Sequence, residues 1–205
     1  MSLTFWREET YREFTQIPLT GDVIDLGGTK NADYRELFTG WNTMVSANLS
    51  PDCDIKCDFE QPLPIKDEQY DAALLVNMLE HVYNTEGILS ETYRILKPKS
   101  KVVVVVPFLI QVHPSPRDHW RFTSETLELI FARAGFEEIN IKPIGAGPFV
   151  AAASLLYNAL HFGILRKLTF LLATTLDSLL LHFDKNESYT KDRYPLGYIV
   201  LAHKS

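Results

Sequence analysis

The apolar positions change period several times along the chain. Asp22-Val23-Ile24-Asp25-Leu26 is a short apolar run that ends in Gly27-Gly28, which predicts a buried strand followed by a turn. Residues 42–48 predict a second strand, closed by Ser50-Pro51, and 54–58 a short third one. A fourth is expected over 70–77. Residues 101–106 carry five consecutive valines, and a run without alternation predicts burial on both faces, as in a parallel sheet. Residues 136–144 and 197–202 predict two more strands. Helical spacing occupies the intervals. Residues 5–16 form an amphipathic helix halted before Pro18, and 31–38 a second with Gly40 as its stop. Asn84 or Thr85 caps a third that runs to about Leu96, with Lys97 at its end and Pro98 blocking continuation. Thr123 or Ser124 caps a fourth, which Gly135 ends. Strands that alternate with helices predict an α/β domain built from right-handed crossovers. No repeat or linker divides 1–205, so one domain is expected.

Residues 148–182 stand apart, with Arg166, Lys167 and Asp177 as their only charges. Two apolar helices are expected there, meeting near 163–167, the second broken by Asp177. The first, over 149–165, falls at the lower limit of about 17–25 residues for a membrane span. A strand must follow to complete the sheet, so a span is not expected. The segment reads as a lid over a substrate cleft, an interface for a second copy of the chain, or a membrane-surface element flanked by Arg166 and Lys167.

The 205 residues are 46% apolar and 22% charged, too apolar for a disordered chain. A net charge of −6 provides no global positive field, so nucleic acid is not an expected partner. The N-terminal residues are charged and aromatic rather than an apolar leader. Two cysteines make no disulfide framework, which points to a reducing compartment, the cytoplasm. Cys53 and Cys57, interleaved with aspartates, lack the second pair or nearby histidine that a tetrahedral metal set needs, and no metal is expected in the chain.

Ligands of an open α/β sheet collect beyond the carboxyl ends of its strands. Asp25, Gly27, Gly28 and Thr29 follow the first strand, where glycines let a ligand approach the backbone and the next helix offers its N-terminal amides. Asn48 follows the second and suits ribose hydroxyls. Asp58 and Phe59 follow the third, one suited to an exocyclic amine and the other to a purine face. Asn77 follows the fourth. After the fifth comes a polar, aromatic stretch from His113 to Thr123. Together these places describe a nucleoside site with an acceptor pocket beside it.

The chain resembles the class I S-adenosylmethionine-dependent methyltransferases of the small-molecule, type 11-like kind. The resemblance rests on Val23 to Gly28, Asp58 to Pro64, Tyr70 to Val82, Tyr93 to Pro98 with the valine strand, and Ala134 to Glu138. The order and spacing of these five blocks are far more specific than any one of them. The stretch from His113 to Thr123 resembles a subgroup found among bacterial sugar and surface-polysaccharide enzymes.

The resemblance implies a Rossmann-like, seven-stranded, mostly parallel sheet with helices on both faces, an antiparallel final strand and an apolar helical insertion before it. It implies S-adenosyl-L-methionine as cofactor. Asp25, Gly27, Gly28 and Thr29 would shape the loop around the methionine part, Asn48 would face the ribose, Asp58 and Phe59 the adenine, and Asn77 the sulfonium. A small-molecule acceptor, a sugar or a lipid-linked compound, would take the methyl group. His113 and His119, oriented by Asp118, are the candidate bases, since histidine titrates near neutrality. His81 reads as a structural histidine.

Three departures from the family pattern stand out. Thr29 and Asn31 replace later glycines of the loop. Asn48 replaces an acid. Only about five residues separate the second strand from the third, where a parallel crossover takes about a dozen, so the usual helix is missing there or the third strand is irregular. A nicotinamide-dependent enzyme is disfavoured, because Gly27-Gly28-Thr29 lacks the glycine spacing of that turn and Asn48 is not acidic. The other rival is a non-catalytic scaffold of the same fold that uses 148–182 as its interaction surface.

Overall fold

The computed structural model describes residues 4–157, 159–160, 163–184 and 189–205. Among them, β1 (Pro18–Leu26), β2 (Thr39–Asn48), β3 (Ile55–Lys56), β4 (Tyr70–Val76), β5 (Leu96–Pro107), β6 (Glu137–Ile144) and β7 (Gly197–His203) form one sheet. Its order is β3-β2-β1-β4-β5-β7-β6. The first five strands pair in parallel, and β7 runs antiparallel to both β5 and β6. This is the expected Rossmann-like, mostly parallel sheet.

The valine run shows why both faces are covered. Val102, Val104 and Val106 pack with Ile88 and Leu89 of α2 (Thr85–Ile95) and with Leu127 and Phe131 of α3 (Ser124–Arg133). Val103 and Val105 point the other way, into a cluster with Phe38 and with Phe14 of α1 (Phe5–Phe14). All five valines are fully buried, each worth on the order of 1.5–3 kcal/mol of transfer energy. The caps fall where the sequence puts them. The Asn84 side chain accepts from the Gly87 amide and that of Thr123 from the Thr126 amide. The lysine end of α2 is a correction in detail, because Leu96, Lys97 and Pro98 already belong to β5.

Two further expectations change. Residues 31–38 form turns with a single 3-10 turn at Arg35–Leu37 instead of a helix. Eight residues are too few to hold a helix without packing support, and here side-chain bonds win. The Arg35 guanidinium donates to the carbonyls of Thr29, Lys30 and Met44, and the Tyr34 hydroxyl donates to Asp25. No helix N-terminus therefore follows the glycine turn. Between β2 and β3 only residues 49–54 intervene, and the crossover helix is absent. β3 pairs through two residues, Ile55 and Lys56. The Asp54 carboxylate holds this hook by accepting from the amide and hydroxyl of Ser46, at 2.9 and 2.8 Å.

The apolar segment forms α4 (Pro148–Leu155) and α5 (Gly163–Phe183). Asp177 does not break the second helix. It is 1% exposed, and its two oxygens accept from the backbone amides of Phe149 and Val150 at 3.0 and 2.9 Å. A carboxylate from one helix thus caps the other. Phe170 of α5 stacks on Phe5 at 5.6 Å, fastening the hairpin to α1. Ile164, Leu168, Leu171, Leu172, Leu179 and Phe183 remain exposed on α5. No helix among the described residues is long and apolar enough to cross a membrane. Asp177→Ala leaves the buried Val150 amide and the part-buried Phe149 amide unpaired, at about 1–3 kcal/mol. Limited proteolysis is expected to cleave within 148–183 well before it touches the sheet. Equal cleavage of variant and wild type would refute the capping role.

Candidate active site

At the carboxyl ends of β1, β2 and β4 lies a cavity of about 400 Å³, lined among others by Gly27, Asn48, Asp58, Phe59 and Asn77. A wider one of about 750 Å³ adjoins it through the shared residues Gly27, Asn77, His81 and Ser115, and reaches Gly28, Thr29 and His113. Seven of the eight residues expected at a nucleoside therefore line these two adjoining cavities.

Asp25 is the eighth, and it lies beneath the cleft instead. It is fully buried. Its carboxylate accepts from the Tyr34 hydroxyl at 2.9 and 3.1 Å. Burial pushes its carboxyl up to about 7, against the pull of Tyr34 and of the Arg35 guanidinium. Gly27 adopts a left-handed φ of 95°, and its amide donates to the Ala47 carbonyl at 2.8 Å, extending the ladder with β2. Asn77 also takes a left-handed φ, of 49°, a conformation asparagine tolerates.

Asn48 is engaged by the loop. Its amide nitrogen donates to the carbonyls of Gly27 and Gly28 at 2.6 and 3.3 Å, and its oxygen accepts from the Leu49 amide at 2.7 Å. A carboxylate cannot donate, which gives a physical reason for asparagine at this strand end. Asp58 is exposed at the cavity wall, its turn pinned by Glu60, which accepts from the amides of Tyr83 and Asn84.

The stretch after β5 folds back over the segment after β4. The amides of His119 and Trp120 donate to the Glu80 carbonyl at 2.9 and 3.3 Å, and the Trp120 indole donates to the Val82 carbonyl. Asp118 is chelated by Arg121, at 2.6 and 2.8 Å, and accepts from the His113 amide at 2.9 Å. The Arg121 guanidinium holds the Asp118 carboxyl well below the usual carboxylate range. His113 lines the wider cavity, with Nδ1 3.4 Å from Asp118. His119 lines neither cavity, and its Nε2 is buried without a partner among the described residues. The structure thus brings His113 and Asp118 together and leaves His119 aside.

Several lining residues escaped the sequence reading. His81 lines both cavities, and the signal was present, since it follows the fourth strand directly. Burial pushes its imidazolium down, and burial pushes the neighbouring Glu80 carboxyl up to about 8. Arg7 of α1, together with Tyr157 and Arg166 of the hairpin region, walls the wider cavity. No local pattern announces residues so distant in sequence. Cys57 is buried, and burial lifts its thiol to about 11.

Residues 36–104 match a family model described as a methyltransferase domain. The solved structures give the rest of the frame. The phosphoethanolamine N-methyltransferase 2 of Haemonchus contortus, in complex with S-adenosyl-L-methionine, superposes with a TM-score of 0.59 over 97% of this chain and 52% of its own, at 14% identity. An S-adenosylmethionine-dependent methyltransferase of Thermotoga maritima gives 0.61 over 98% of this chain and 90% of its own, at 16% identity. The chain has the class I methyltransferase fold. An uncharacterized protein of Methanocaldococcus jannaschii is 40% identical over 91 residues, which is 41% of this chain and 40% of that protein. The chain thus matches under half the length of this curated relative. Within the methyltransferase fold, the cleft described above lies at the carboxyl ends of the strands, where such sheets take their ligands.

Proposed function

We propose that the chain transfers a methyl group from S-adenosyl-L-methionine to a small-molecule acceptor. The adjoining cavities support this reading: seven residues of nucleoside-binding chemistry line them. Adenosine would occupy the cavity beside Asp58 and Phe59, and the methionine part would run past Gly27 and Gly28. The acceptor would enter the wider cavity between His113 and the hairpin. Arg7 and Arg166 face that cavity and favour an acceptor that carries an anionic group, such as a sugar phosphate or a lipid-linked sugar.

The reaction is an in-line attack on a methylsulfonium. The cofactor supplies the activation, and the protein supplies position and a dry site. His113 is the base of this reading. Asp118 is a positioning residue that holds it through the backbone amide. Calorimetry with S-adenosylhomocysteine tests the proposal. Micromolar binding supports it, and absence of binding at millimolar concentration favours a scaffold instead.

The Asn48→Asp variant tests the loop more finely. It restores the family's acid but loses the donor to Gly27 and sets a carboxylate against a carbonyl. Affinity for S-adenosylhomocysteine is expected to fall at least tenfold, about 1.4 kcal/mol. A gain in affinity would show that the ribose, rather than the loop, governs this position.

A further inference from the structure

Three donor atoms converge where the two cavities meet. Glu80 Oε1 lies 3.8 Å from His81 Nε2 and 3.7 Å from His113 Nε2, and the ligand atoms of the three residues all lie within 4.8 Å of one another. These separations are too long for hydrogen bonds. Glu80 is fully buried, and among the described residues neither oxygen finds a hydrogen-bond partner beyond its own residue. A carboxylate left in that state is costly, and such groups in native proteins call for an explanation.

Both imidazoles are aimed by their far nitrogens. His81 Nδ1 sits against the Arg117 carbonyl oxygen, and His113 Nδ1 is 3.1 Å from the Gln111 carbonyl oxygen. A carbonyl oxygen only accepts, so each Nδ1 carries a proton, and in the neutral ring each Nε2 presents its lone pair towards Glu80. Metal-ligating histidines take this orientation, with the second nitrogen donating to a carbonyl or carboxylate. Around a tetrahedral ion with bonds of about 2.1 Å, neighbouring donors stand about 3.4 Å apart. The Glu80–His distances already approach that spacing.

We propose that Glu80, His81 and His113 form a mononuclear site for a divalent transition-metal ion. Two imidazoles and one carboxylate suit zinc, iron, cobalt or nickel better than magnesium or calcium, which prefer oxygen ligands throughout. His81 lines both cavities and His113 the wider one, so the site lies beside the acceptor cavity. Metal binding stands independently of methyl transfer, but its chemical role rests on that reading. Bound there, the ion would polarise an acceptor hydroxyl and make its proton easier to lose. The carbon–sulfur bond breaks as the carbon–oxygen bond forms, the proton passes to solvent, and the sulfur departs as a neutral thioether. In the loaded protein the His113 lone pair belongs to the metal, and His113 is no longer the base.

The test uses the full chain without a histidine tag, stripped by a chelator and titrated with Co²⁺, whose visible absorption reports its ligands. One Co²⁺ per chain is expected to bind at micromolar concentration, and Zn²⁺ to displace it. Glu80→Gln and His113→Gln should each weaken binding about a hundredfold, while the double variant Cys53→Ser/Cys57→Ser binds as the wild type does. Absence of Co²⁺ and Zn²⁺ binding at millimolar concentration overturns the proposal, as does equal binding by both variants. His113→Gln, on the loop after β5, carries the test if circular dichroism shows Glu80→Gln unfolded. S-adenosylhomocysteine binding is measured on the same samples. A stripped chain that binds the nucleoside but no metal sinks the metal site alone. One that binds metal but no nucleoside sinks the methyltransferase reading alone.

Discussion

Gly28→Ala is expected to lower affinity for S-adenosylhomocysteine at least a hundredfold, about 2.7 kcal/mol. A Cβ at Gly28 falls onto the Asp25 carboxylate. That side chain cannot swing clear, because it is fully buried and held by the Tyr34 hydroxyl. The loop must lift instead, and the surface offered to the cofactor lifts with it. Overpacking of this kind also costs roughly 1–3 kcal/mol of stability. Gly27→Ala should act alike, since its φ of 95° disfavours a side chain and its Cβ would stand 2.7 Å from that of Met78. Calorimetry beside thermal denaturation separates the two effects. Affinity within about threefold of wild type in folded Gly28→Ala would show that the ligand lies elsewhere.

Asp25→Asn is expected to be more stable than wild type above neutrality and to lose that advantage in acid. The folded chain holds the Asp25 carboxyl near 7, raised by burial, while the unfolded chain releases its proton near the ordinary aspartate value of about 3.9. Between these values the folded state binds more protons, so this group costs stability as pH rises. The cost grows by up to about 1.4 kcal/mol per pH unit from about 4 to 7 and is constant above. Asparagine keeps an acceptor for Tyr34 and carries no charge. Its advantage over wild type should grow by roughly 2–3 kcal/mol between about pH 5 and about pH 8 in urea titrations of the ligand-free chain. Glu80 titrates in both proteins and cancels. Parallel pH profiles for the two would mean that Asp25 pays no desolvation penalty.

The elements that sequence resolved are those whose burial pattern is continuous. The valine strand, the capped helices α2 and α3 and the glycine turn after β1 each carry their own signal, and each lies where that signal puts it. Residues 31–38 misled because Tyr34 and Arg35 find partners in Asp25 and in loop carbonyls, and such contacts outweigh helical spacing in a segment of that length. Asp177 misled because a charge in an apolar helix looks like a break until its partners, two amides 27 and 28 residues earlier, are seen. The cleft itself was legible from strand ends. Its roof, from Arg7 to Arg166, was not, since it joins segments remote in sequence.

Among the described residues, strand β7 is the last in sequence, yet it lies between β5 and β6 and is the sole neighbour of β6 in the sheet. A ribosome that has delivered the chain through residue 184 has therefore made β6 without anything to pair it, and has left one side of the valine strand bare. Closure of the sheet waits for seven residues, Gly197–His203. Such late, long-range pairing slows folding and makes β6 the stretch most in need of protection during synthesis.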